Sequence, residues 1–146
     1  MNKVGDTIRW ADYTWNPIAM RCTRVSPGCA HCWHLRMADR HAANAALPIE
    51  RRSAAAGSTP WLDEEELTAP LRKKKPAIIA VQLMGDLFHE AVPDSYQLQV
   101  WNRFIEADWH TYLVLTKRPG NMLRFLRGKP GLPNVWLGVS AENQAT

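Results

Sequence analysis

Cys22, Cys29 and Cys32 are the only cysteines of this 146-residue chain and stand in the pattern CxxxxxxCxxC. An odd number of thiols cannot pair off internally, and a CxxC bite wraps an ion or cluster better than it staples distant segments. The spacing predicts a metal site. Zinc and an iron–sulfur cluster both take thiolate ligands, so both remain open. A cubane held by three cysteines leaves one iron free for a small molecule. Structural zinc needs a fourth ligand, and His31 and His34 are close in sequence. The competing reading is three incidental thiols, since free cysteine often serves as a small apolar residue.

A second set of candidates follows apolar runs. Met84-Gly85-Asp86-Leu87-Phe88-His89-Glu90 comes after one, Thr116-Lys117-Arg118-Pro119 after another, and Ser140-Ala141-Glu142 after a third. Loops after parallel strands collect at one sheet edge, where side chains from separate strands converge on ligands. There Gly85 lets the backbone approach a ligand closely, Asp86 can accept from an amine or hydroxyl, and Lys117 can meet a carboxylate or phosphate. The plain alternative is solvated turn residues with capping roles.

The elements that must position these groups are legible in outline. Trp33 to Ala46 lacks Gly and Pro and predicts a helix directly after the last cysteine, ended by Pro48. Ile49 to Pro76 carries a Ser/Ala/Gly stretch, an acidic run and the basic run Arg72 to Lys75. It reads as an exposed, mobile connection with at most a short helix at Asp63 to Leu67. Ala77 to Leu83 reads as a strand buried on both faces, Tyr112 to Leu115 as a second buried strand and Val135 to Val139 as a third strand. Between them, Asp94 reads as the N-cap of a helix to about Ala107, with Leu98, Trp101, Phe104 and Ile105 on its buried face. Asn121 to Arg127 reads as a short helix stopped by Gly128. Strands alternating with helices predict an α/β fold, a parallel sheet forming a barrel or part of one. Trp101 and Trp136 are expected in the core, and Trp33 is placed to shield a cluster. The chain stops soon after the third strand, which reads as one domain over 1–146, part of a longer design.

Eighteen Lys and Arg against fourteen Asp and Glu give a net charge of +4, which permits nucleic acid or another acidic partner without requiring one. No apolar run approaches the ~18 residues of a membrane span, and the polar start lacks a secretory h-region, so a cytoplasmic protein is expected.

Trp15-Asn16-Pro17, Cys22 through Ser26-Pro27-Gly28-Cys29 to Cys32, Met84 to His89, Leu115 to Pro119 and Asn134 to Ser140 together resemble the uncharacterised three-cysteine phage protein family. It is labelled by phage gene products thirty-seven and sixty-eight, and the resemblance spans almost the whole chain. That family is similar to the radical S-adenosylmethionine enzymes, particularly the DNA-lesion lyase group. There three cysteines hold a 4Fe–4S cluster at one end of a partial (β/α) barrel, and the free iron binds S-adenosylmethionine. The resemblance implies that Cys22, Cys29 and Cys32 are cluster ligands, that Gly85, Asp86 and Ser140 lie near the bound cofactor, and that Lys117 faces the same pocket. It implies an enzyme acting on nucleic acid or a nucleotide. The alternative is a phage interaction protein with a structural zinc or cluster, its open sheet edge covered by another copy or a protein partner.

Overall fold

The computed structural model describes residues 1–6 and 8–142. Its sheet is built from β1 (Asn2–Lys3), β2 (Tyr13–Trp15), β5 (Ile78–Val81), β6 (Thr111–Thr116) and β7 (Val135–Val139), in that spatial order. β1 is antiparallel to β2, and the other three pairings are parallel. A small antiparallel pair, β3 (Ile18–Ala19) with β4 (Trp61–Leu62), stands apart. Among the described residues six α-helices complete the fold: α1 (Trp33–Ala43), α2 (Ile49–Ala56), α3 (Glu64–Leu67), α4 (Ala69–Arg72), α5 (Asp94–Glu106) and α6 (Pro119–Leu126). The expected α/β class with a mostly parallel sheet is what forms. No helix among the described residues is long and apolar enough to cross a membrane.

Register places Trp15, Val81 and Val114 side by side, and with Tyr112 they meet Val100, Trp101 and Phe104 of α5 and Phe125 of α6. Phe104 and Tyr112 pack with ring centroids 4.5 Å apart, and Trp15 meets Phe104 edge-on at 6.1 Å. Such aromatic pairs stabilise beyond their area by about 0.5–1.5 kcal/mol each.

Several boundaries differ from expectation. β5 is shorter than Ala77 to Leu83 because Gln82 turns the chain with φ of 53°, its side chain bonding Ile18 and Met84. α1 stops at Ala43 because Asn44 starts a turn, its Oδ1 accepting from Ala46 N at 3.0 Å. Asp94 is the first residue of α5, and Pro93 occupies the cap. The buried face of α5 is Gln97, Val100, Trp101 and Phe104, while Leu98 and Ile105 are exposed.

The segment Ile49 to Pro76 is not an irregular exposed connection. Its alanines form α2, capped by Gly57 at φ of 113°, and bury Ala54 and Ala55 against neighbouring elements. Asp63 caps α3 by accepting from Glu66 N at 3.0 Å, and Leu67, Ala69 and Pro70 are buried. Short apolar stretches between charges supply the buried residues of this segment.

Trp136 is the other correction, being 67% exposed. It aligns with Leu113, opposite the Tyr112 and Val114 face that meets the helices, and β7 ends the sheet among the described residues. With Trp10, Leu113 and Leu115 it lines an apolar hollow of about 230 Å³.

Candidate functional site

At the C-terminal edge of β5, β6 and β7 lies a cavity of about 210 Å³. Cys22, Cys29, Cys32, Gly85, Asp86, Lys117 and Ser140 all line it, so the fold gathers the three cysteines and these four strand-edge candidates around one space. Trp33, His34, Gln82, Leu83, Leu115, Thr116 and Arg118 complete the wall.

The cysteines arrive on different local structures. Cys29 sits in a 3-10 turn, Pro27–His31, and Cys32 is the N-cap of α1, its N–H donating to Cys29 O at 3.3 Å. Cys22 lies in the irregular segment before them. All three thiols are free. Burial pushes the Cys22 thiol up, aided by the Asp86 carboxylate and opposed by Arg118. Cys29 stays below the usual thiol range. Burial pushes it up, but the Ser26 hydroxyl, backbone N–H groups and Lys117 outweigh that. Cys29 is therefore the readier thiolate.

Gly85 is required twice over. Its φ is +123°, and a Cβ there would fall 2.7 Å from Met20 Cγ and Sδ.

Asp86 is 5% exposed and heavily engaged. It accepts from Phe88 N at 3.0 Å, Thr116 Oγ1 at 2.8 Å, Lys117 N at 3.0 Å and Arg118 Nη1 at 3.2 Å. Its carboxylate thus joins the loop after β5 to the loop after β6. Lys117 Nζ reaches Ser26 Oγ at 3.3 Å and pairs with Glu142. Glu142 in turn accepts from Ser26 Oγ at 2.8 Å and Gly28 N at 2.5 Å. Ser140 is held by its N–H donating to Thr116 O at 2.9 Å.

Two wall residues carry more than their sequence positions suggest. Arg118, in the predicted loop but not singled out from it, is buried against Cys22 Sγ at 3.7 Å. His34 is also buried, and burial, then His41 and Arg21, outweigh a hydrogen bond with the Met20 backbone and bring its pKa down to about 4. His31, the other proposed zinc ligand, is not in the wall. Trp33 lines the cavity while remaining half exposed. An arginine after a strand reads as solvated, so nothing in the local pattern announces this burial.

A single zinc ion needs its ligand atoms about 2.0–2.3 Å from one centre. Among the described residues, no three or more His, Cys, Asp or Glu side chains form a group that could hold a metal ion. A cluster offers a separate iron to each thiolate, so its ligands stand around a space instead of around a point. Three free thiols rimming one cavity fit that donor chemistry.

No curated protein and no solved structure matches the chain. The family described as "Protein of unknown function (DUF5131)" matches residues 5–146, and the chain belongs to that family.

Proposed function

We propose that this is an iron–sulfur protein of the radical S-adenosylmethionine type, phage-derived and acting on nucleic acid or a nucleotide. The observation that supports it is the meeting of Cys22, Cys29 and Cys32 with Gly85, Asp86, Lys117 and Ser140 around one cavity at the C-terminal edge of parallel strands. In this reading β2, β5, β6 and β7, parallel neighbours in chain order, are the wall of a partial barrel. A cluster bound there would pass on one electron, taken from an external one-electron reductant, to a sulfonium whose carbon–sulfur bond breaks to a thioether and a carbon radical. The chain's own residues hold and orient. The three thiolates retain the cluster, Gly85 lets backbone approach the cofactor, Asp86 fixes the two loops beside it, and Lys117 offers a cation to a carboxylate.

A second reading is favoured by two specific observations. The Asp86 carboxylate and the Lys117 ammonium already have partners within the chain, and Trp10, Leu115 and Trp136 expose apolar surface beside the sheet edge. In that reading the thiolates hold a structural zinc or cluster, and the exposed face meets a protein partner or a second copy.

Anaerobic purification with metal analysis and visible absorption separates the two, followed by electron paramagnetic resonance of the reduced protein with and without S-adenosylmethionine. Iron at cluster stoichiometry, with a signal altered by S-adenosylmethionine, is the expected result. Stoichiometric zinc, or a cluster blind to S-adenosylmethionine, overturns the first reading in favour of the second.

A further inference from the structure

Arg118 makes an unusual set of contacts for a residue directly after a strand. Its side chain is 4% exposed, and each of its nitrogens has its own partner. Nε donates to both Glu90 oxygens at 3.1 and 2.9 Å. Nη2 donates to Thr23 O at 3.2 Å and Thr23 Oγ1 at 2.9 Å. Nη1 lies 3.2 Å from Asp86 Oδ2 and 3.7 Å from Cys22 Sγ.

We infer that Arg118 is the positioning residue for Cys22 and raises the reduction potential of the cluster held there; this rests on the cluster reading above. Cys22 lies outside every helix and strand, and its sulfur's other polar contact is Thr23 O of the next residue, at 3.5 Å. The guanidinium grips that segment at two adjacent points, the Cys22 sulfur and the Thr23 backbone. A planar fork with five donors can serve Glu90, Asp86, Thr23 and Cys22 together, whereas an ammonium is a single point with three donors.

The direction of the electronic effect follows from charge. Reduction adds negative charge to a cluster, and an N–H aimed at a ligand sulfur together with a nearby cation stabilises that charge. Asp86 and Glu90 surround the guanidinium, so deleting its charge leaves two carboxylates facing the site uncompensated. Loss of the hydrogen bond and loss of the charge both make reduction harder. Cys29 has different neighbours, Ser26 Oγ at 3.4 Å and Lys117, so the effect belongs to the Cys22 corner.

The test compares wild type, R118K and R118Q after anaerobic reconstitution with iron and sulfide. It reads iron per chain, the rate of iron loss to a chelator, and the reduction potential by dye-mediated titration. R118K is expected to load with iron at a more negative potential than wild type, and R118Q to be more negative still and to lose iron faster. Loaded R118K at the wild-type potential overturns the inference and leaves the cluster reading standing. A wild-type chain that takes up no iron sinks the cluster reading and the inference with it. Should neither Arg118 variant fold, E90Q carries the test, because Glu90 is 60% exposed and touches the far side of the guanidinium. Removing its charge is expected to move the potential to less negative values, and an unchanged potential overturns the inference.

Discussion

Thr116 Oγ1 donates to both oxygens of Asp86, at 2.8 and 3.0 Å, across thirty residues of chain. That bond closes the loop after β5 onto the end of β6 and keeps Asp86 beside Arg118. D86A removes a buried carboxylate while leaving the guanidinium in place. Breaking a buried pair in this way costs about 3–5 kcal/mol. D86N, which keeps an acceptor for Thr116 and the Lys117 N–H, is expected to cost less. Urea midpoints of the metal-free chain check both, and a D86A midpoint equal to wild type would mean that Asp86 is not holding the two loops together.

Glu142 and Gly28 form a second clasp over the cysteine loop. A Cβ on Gly28 would fall 2.3 Å from the Glu142 carboxylate, the end of a flexible side chain. G28A is therefore expected to displace Glu142 instead of breaking backbone. The bond is exposed, so E142A and G28A should each lower stability by no more than about 1 kcal/mol. The double variant should lose less than the sum of the two, since the Gly28 N–H bond to Glu142 is common to both, while E142A also removes the contacts to Ser26 and Lys117. Additive losses in a double-mutant cycle would refute the clasp.

Asp63 joins two elements of the segment between α1 and β5. Its side chain caps α3 and pairs with Arg51 at 2.6 Å. D63A is expected to cost about 1–2 kcal/mol. Burial raises the Asp63 carboxyl, but the Glu66 N–H and Arg51 outweigh it and hold it below its ordinary 3.8. A depressed folded value means the stabilisation is fully present above pH 3.8 and fades as pH falls through the lower folded value. The gap in thermal midpoint between wild type and D63A should therefore close in acid; a gap independent of pH would contradict this assignment.

Two tryptophans expected in the core part company. Trp101 is 5% exposed and packs against Phe104 and Phe125, with centroids 5.7 and 5.8 Å away. W101A is expected to cost about 3–5 kcal/mol. W136A, on the exposed face of β7, should stay within about 0.5 kcal/mol. Equal losses in chemical denaturation would mean that the β7 face is covered in solution.

Much of the frame was legible because its signals are local. The apolar runs around Ile79, Val114 and Val135 marked three of the parallel strands, and the polar residues just after them marked the edge that carries the cavity. The cysteine spacing marked the loop on its rim. The α5 face was misjudged because Gln97 is as buried as Val100, a choice set by what the helix meets and not by its own periodicity. Trp136 was misjudged because hydrophobicity reports that a strand prefers cover, while its place at the end of the sheet decides whether cover exists.

The sequence by itself determined the α/β class and the three-thiol loop, since each depends on residues adjacent in the chain or on their period. Only the tertiary structure decided that Asp86 is spent on Thr116, Lys117 and Arg118, and that Arg118 is buried against Cys22. Those partners lie 30 to 96 residues apart. Strand register and loop packing bring them together, and no local pattern of charge or hydrophobicity encodes which distant loop a side chain will meet.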